Sequence, residues 1–291
     1  MSDFHKRPFR ILADFPDVRR FMLRVYQRDW RGGVPAPFLE YALSASWADQ
    51  THAHHDAIWE QGGEIVAFCF YESRPGVAYF NVDPTVAAKL ADELIDHAEA
   101  ELTDAKGAVA LQLFAGQDAL IAAAKKRGYR LTETHVDALF DLRKPLEHPL
   151  PAGFRFVDPA RIDLAKAMLC CWKGFDHEAE GPWDGDADPG LRTALTPNAT
   201  PQYYVAVEHE ETGEYVCWAG MWWTPENKLA YMEPLCTVPA FRHRGLAAAA
   251  LSEMARRMRP LGATWMTGGA NPFYTRIGYE PAIEWRKYAK A

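Results

Sequence analysis

The stretch Thr237-Val238-Pro239-Ala240-Phe241-Arg242-His243-Arg244-Gly245-Leu246-Ala247 reads as a strand end, a turn and a helix that starts at a glycine followed by small residues. The first N–H groups of a helix have no intrahelical partner, and the positive end of the helix dipole lies beside them. Gly245 lets the backbone approach a bound group closely, and Arg242 and Arg244 add charge. The chemistry expected here is the binding of an anion such as a pyrophosphate.

The elements that must position this turn follow from periodicity. Gln202 to Glu208 alternates, and Tyr215 to Trp223 is an aromatic-rich apolar run, so both read as strands. Pro225-Glu226-Asn227-Lys228 supplies a turn before a third strand, Leu229 to Val238, which gives an antiparallel meander. A helix from about Arg244 to Met258 places Leu251, Met254 and Met258 on one face, with Arg256 and Arg257 pointing away. After Gly262 comes a short strand, Thr264 to Thr267. Asn271-Pro272 then opens a helix, with Asn as N-cap and Pro at its first position, which Gly278 stops.

The first half repeats this order. Strands Glu64 to Tyr71 and Val77 to Val82 precede a helix, Val86 to Leu102, then a strand, Val109 to Phe114, and a helix, Ala119 to Arg127. Pro84 answers to Pro239 and Gly128-Tyr129 to Gly278-Tyr279, which makes a duplication the economical reading. The proline-rich join Pro145-Leu146-Glu147-His148-Pro149-Leu150-Pro151 forbids helix and suits a linker. The expected organisation is therefore α+β, two tandem domains over 1–145 and 146–291, each a mostly antiparallel sheet flanked by helices.

The Arg-x-x-Gly-x-Ala spacing of Arg242, Gly245 and Ala247 after a Val-Pro strand end resembles the acyl-CoA-binding motif of the GNAT N-acetyltransferase superfamily. Phe273-Tyr274-Thr275-Arg276-Ile277-Gly278-Tyr279 is similar to that family's Phe-Tyr-x-x-x-Gly-Phe block. The resemblance is strong over about residues 152 to 285 and covers the first half by layout. It implies acetyl-CoA as co-substrate, held by Leu235, Cys236, Thr237, Val238, Arg242, His243, Arg244, Gly245, Leu246 and Ala247, with Asn271 and Phe273 beside it. Asn271 reads equally as a helix cap or as a contact to the pantetheine arm. Tyr274 would stand beside the departing thiolate as an acid, or serve structure only. Glu233 falls near the expected acetyl group and reads either as a base, its pKa raised by partial burial, or as an edge-strand carboxylate. Pro234, which lacks an N–H, suits a bulge or splay in that strand.

The implied reaction transfers an acetyl group to a primary amine of a small molecule or peptide. The alternative is a non-enzymatic acyl-CoA sensor or partner-binding module in which Glu233 and Tyr274 are idle. The first half has no Arg-x-x-Gly-x-Ala after Pro84, and Ala124 stands where the second half has Tyr274. It is expected to lack a cofactor site, and the resemblance implies that it packs on the active half and walls its substrate cleft.

Composition narrows the remaining classes. With 48% hydrophobic and 24% charged residues the chain is a globular type, and a net charge of −7 disfavours nucleic acid as a partner. Met1-Ser2-Asp3-Phe4-His5-Lys6-Arg7 leads into no long apolar stretch, and no segment approaches about 18 apolar residues. A cytoplasmic monomer or homodimer without membrane contact is expected. Five cysteines, Cys69, Cys170, Cys171, Cys217 and Cys236, lack paired zinc spacing and read as reduced thiols. No metal site is expected: His52, His54 and His55 read as a solvated segment. Asp184-Gly185-Asp186-Ala187-Asp188 departs from a calcium loop at Pro189 and Leu195. With Glu178 and Glu180 it reads either as a solvated loop or as an attractor of a cationic amine. Trp218, Trp222 and Trp223 read as core, with one of them a candidate to line the acceptor pocket.

Overall fold

The computed structural model describes residues 3–290, so Met1, Ser2 and Ala291 lie outside the described residues. The chain divides into two compact units, Met1–Asp137 with Pro281–Ala291, and Ala138–Glu280.

In chain order the first unit contains β1 (His5–Pro8), α1 (Ile11–Val25), α2 (Ala36–Ser44), β2 (Ala57–Gln61), β3 (Glu64–Tyr71), β4 (Val77–Val82), α3 (Ala87–Glu101), β5 (Ala110–Phe114), α4 (Asp118–Lys126) and most of β6 (Arg130–Asp141). The second contains β7 (Phe154–Phe156), α5 (Leu164–Gly174), α6 (Asp188–Ala194), β8 (Val205–His209), β9 (Tyr215–Thr224), β10 (Leu229–Thr237), α7 (Leu246–Met258), β11 (Trp265–Thr267) and α8 (Pro272–Arg276). The last strand, β12 (Glu280–Ala289), completes the first unit.

The two units share one plan. In the first, β1 to β4 form an antiparallel meander, β4 pairs β5 in parallel, and β12 pairs β5 antiparallel. In the second, β7 to β10 form the meander, β10 pairs β11 in parallel, and residues 139–141 of β6 pair β11 antiparallel. The fold is α+β and tandem, as expected.

Each core lies between sheet and helices. In the second unit Leu246, Ala250, Leu251, Met254 and Met258 of α7 pack on Val205, Val207, Cys217, Ala219, Ala230 and Met232. Small residues at Ala248, Ala249 and Ala250, all buried, let α7 lie close to the sheet. Arg256 is exposed as expected, but Arg257 is half-buried, donating to the Tyr204 carbonyl at 2.7 Å and paired with Glu253. In the first unit Leu90, Leu94 and Ile95 of α3 and Leu120 and Ile121 of α4 pack on Trp59, Ala67, Phe80, Leu111 and Leu113.

Candidate functional site

The site is built where β10 and β11 part. Their parallel pairing consists of Leu229 with Trp265 and Ala230 with Met266. Beyond it the Met232 N–H donates to the Thr267 hydroxyl at 2.7 Å, and no further pairs form. On its other edge β10 stays bonded to β9, but the register shifts between Met232 and Leu235, so Glu233 and Pro234 together oppose Gly220. This β-bulge accommodates the residue without an N–H, as the splay expected at Pro234 requires. A Cβ on Gly220 would stand 2.1 Å from the Glu233 carbonyl oxygen, so only glycine lets the bulge close on β9.

The turn after β10 is anchored before it is opened. The Val238 N–H donates to the Val216 carbonyl at 3.0 Å, and Phe241 and Arg242 donate to Val238 and Pro239 in a tight turn. Among the described residues the amides of 243–248 have no backbone or side-chain acceptor. His243 and Gly245 both adopt left-handed backbone, with φ of 62° and 83°. Free amides at a helix N-terminus beside left-handed residues are a common setting for a bound anion. A Cβ at Gly245 would meet open space, the space an anion needs. These free amides at the start of α7 are of the kind that a pyrophosphate would need.

Its two arginines differ. Arg244 is exposed, with its guanidinium 5.1 Å above the Phe241 ring. The Arg242 guanidinium is engaged within the protein: Nε donates to the Thr237 carbonyl at 3.1 Å, and Nη2 to the Gly174 carbonyl at 2.9 Å and both Asp176 oxygens at 3.0 Å.

On the β11 side, α8 carries Tyr274. The Asn271 carboxamide oxygen accepts from the Phe273 N–H at 2.9 Å, so the capping half of its two readings is present. The Tyr274 ring lies on Gly268 and Gly269, which directly follow the last residue of β11. A Cβ on Gly268 would come within 2.7 Å of the ring. Phe273 and Tyr279 meet Tyr274 edge-on, each with centroids 5.2 Å apart. Burial, and then the neighbouring Tyr274, push the Tyr279 phenol well above its usual range. Glu233 is one residue past the Met232–Thr267 link on one strand, and the Gly268-Gly269 floor of Tyr274 is one and two residues past it on the other. Sequence candidates distant in the chain are therefore brought to the same opening.

Leu235 and Thr237 of β10 and Val238 just after it are half-buried, whereas Cys236 is buried. Its sulfur lies 4.0 Å from Cys171 Sγ, and a Cβ on Gly174 would strike it at 2.8 Å. Burial pushes the Cys217 thiol up to about 12. Trp218 and Trp222 are buried, and Trp223 is half-buried. The rings of His52, His54 and His55 cluster, those of His54 and His55 tilted with centroids 4.1 Å apart, and His55 is paired to Glu101 at 2.6 Å.

The corresponding place in the first unit is filled. There β4 and β5 pair as far as Tyr79 with Gln112, after which the buried Gln117 carboxamide takes the gap, donating to the Phe80 carbonyl at 3.1 Å and accepting from the Phe114 N–H at 3.0 Å. Ahead of α3, the Asp83 carboxylate accepts from the Thr85 N–H and its carbonyl from the Val86 N–H, setting a negative charge where the second unit has its cradle. Ala124 is fully buried. Sequence reading missed Gln117, Thr267, Gly268 and Gly220. Only Gly220, a glycine inside an aromatic strand, carried a local sign of a bulge.

The acetyltransferase (GNAT) family model matches residues 167–279. The match lies wholly within the second unit, which over those residues is similar to GNAT acetyltransferases. No curated protein matches the sequence. Among solved structures, a GCN5-related N-acetyltransferase from Sphaerobacter thermophilus shares 18% identity at a TM-score of 0.63, covering 100% of this chain and 96% of its own. A tandem GNAT protein from the clavulanic acid biosynthesis pathway shares 13% identity at 0.61, with 98% of each chain covered. The C-terminal domain of a lysylphosphatidylglycerol synthetase from Agrobacterium fabrum, described as putative, shares 11% identity at 0.58, over 97% of this chain and 92% of that one. At these identities the likenesses concern the fold, which is that of tandem GNAT proteins, and the GNAT family supports acyl transfer in general. Among the described residues no helix is long and apolar enough to cross a membrane.

Proposed function

We propose that the protein is an N-acetyltransferase that moves an acetyl group from acetyl-CoA to a primary amine of a small molecule or peptide. The observation that carries this reading is the row of unengaged amides at 243–248, placed beside the gap between β10 and β11. Those amides and Arg244 hold the pyrophosphate, and Gly245 keeps the approach open. The thioester arm lies along Leu235 to Val238, with Asn271 and Phe273 at its side.

Acetyl-CoA supplies the activated acyl group; the chain supplies position and protons. Glu233 takes a proton from the substrate ammonium, directly or through water, so that the amine can attack the thioester carbonyl. A backbone N–H of β10 between Leu235 and Thr237 stabilises the charge that develops on that oxygen. Tyr274 donates its hydroxyl proton to the departing thiolate, and the second proton shed by the acylated nitrogen restores Tyr274 through water. The organisation that goes with this is a first unit without a cofactor site and a second unit, Ala138–Glu280, that binds acetyl-CoA; the expected bounds of 1–145 and 146–291 shift because the last strand joins the first unit. Gln117 and Asp83 support the first part of that assignment.

A panel of primary amines assayed with acetyl-CoA for release of free CoA thiol tests the reading. Amine-dependent release is expected. Acetyl-CoA binding without turnover across the panel would favour an acyl-CoA sensor instead.

A further inference from the structure

We propose that Arg242 is a positioning residue that joins the anion cradle to the carboxylate-rich segment 176–188, so that filling the cradle orders that segment. The proposal rests on the acetyl-CoA reading of the cradle. One guanidinium reaches the last residue of β10 through the Thr237 carbonyl, the last residue of α5 through the Gly174 carbonyl, and the segment beyond α5 through both oxygens of Asp176. The two carbonyls close a strand and a helix, and a cation at the C-terminal end of a helix is favoured by its dipole. A planar fork can serve these acceptors at once, which an ammonium cannot.

The backbone on both sides of the link is held in an uncommon state. Asp176 has a φ of 62°, and His243, directly after Arg242, also has a φ of 62°. Non-glycine residues keep left-handed backbone when their surroundings over-determine it. His243 belongs to the cradle, and Asp176 opens the segment that carries Glu178, Glu180, Asp184, Asp186 and Asp188. The ion pair itself adds little to stability, because the side chains of Arg242 and Asp176 are 36% and 61% exposed. Its effect is geometric: a shift of the turn around a bound pyrophosphate moves the carboxylates that a cationic amine would meet.

Hydrogen exchange with and without saturating acetyl-CoA, together with calorimetry of acetyl-CoA binding, tests this on the full chain. In the wild type the ligand should slow exchange across 174–188 by about 5- to 150-fold, the range of an ordinary coupling between sites. Asp176→Ala should abolish that slowing and, because coupling between sites is reciprocal, weaken acetyl-CoA binding by no more than the same factor, since the Thr237 and Gly174 carbonyls still hold the turn. Arg242→Ala should lose the slowing and weaken binding, and Arg242→Lys should restore only part of both. Full slowing in Asp176→Ala would overturn the proposal. So would tighter acetyl-CoA binding in that variant, since it would make Arg242 a phosphate ligand released by the loss of its partner. Failure of the wild type to bind acetyl-CoA would bring down the cradle reading itself, an outcome separate from either of these.

Discussion

Tyr274 owes its place to two glycines: its ring covers Gly268 and Gly269, and any side chain at 268 would meet both Tyr274 and the buried Tyr279. Gly268→Ala should therefore push Tyr274 off the opening and destabilise the fold by about 1–3 kcal/mol, as overpacking does, seen as a lower melting temperature with reduced turnover. Removing only the hydroxyl is the cleaner probe. Tyr274→Phe should lower kcat by roughly 10- to 1,000-fold and leave acetyl-CoA affinity unchanged, as loss of a general acid does; an unaltered kcat would exclude that role. Glu233→Gln should remove the acidic limb of the pH–rate profile, because the wild-type base is lost as it protonates; an intact profile with a lower melting temperature would make Glu233 structural. Tyr274 was legible from its spacing to Gly278. The two glycines beneath it were not, since a glycine's role depends on what lies across from it.

At the scale of elements, the bulge in β10 decides where the strands part. Gly220→Ala sets a Cβ 2.1 Å from a backbone oxygen, a contact that no rotamer change relieves. It should cost at least about 1–3 kcal/mol and weaken acetyl-CoA binding by distorting Leu235 to Thr237, which paired denaturation and calorimetry would show. Stability lost with binding intact would separate the bulge from the cofactor site. The meander of the second half, α7 and α8 were readable because their apolar spacing faces one core. β6 was not: its residues 130–136, Arg-Leu-Thr-Glu-Thr-His-Val, are all exposed, so no alternation marks them. β12 buries Ile283, Trp285 and Tyr288, but its partner β5 is remote in the chain and no local pattern names it.

The whole molecule builds one plan twice. The sequence showed what the first half lacks, in Ala124 and the missing glycine after Pro84, but not what replaced it. Gln117 fills that gap through two backbone bonds, so Gln117→Leu leaves a buried carbonyl and N–H unpaired. At about 1–3 kcal/mol for each orphaned group, the variant should melt earlier with acetyl-CoA binding unchanged. The most direct measurement is titration calorimetry of acetyl-CoA against the full chain, repeated on Gly245→Val, which adds a branched side chain to a left-handed residue in the middle of the free amides. One site per chain, abolished in Gly245→Val, is the result predicted. Two equivalent sites, or binding that survives Gly245→Val unchanged, would contradict it.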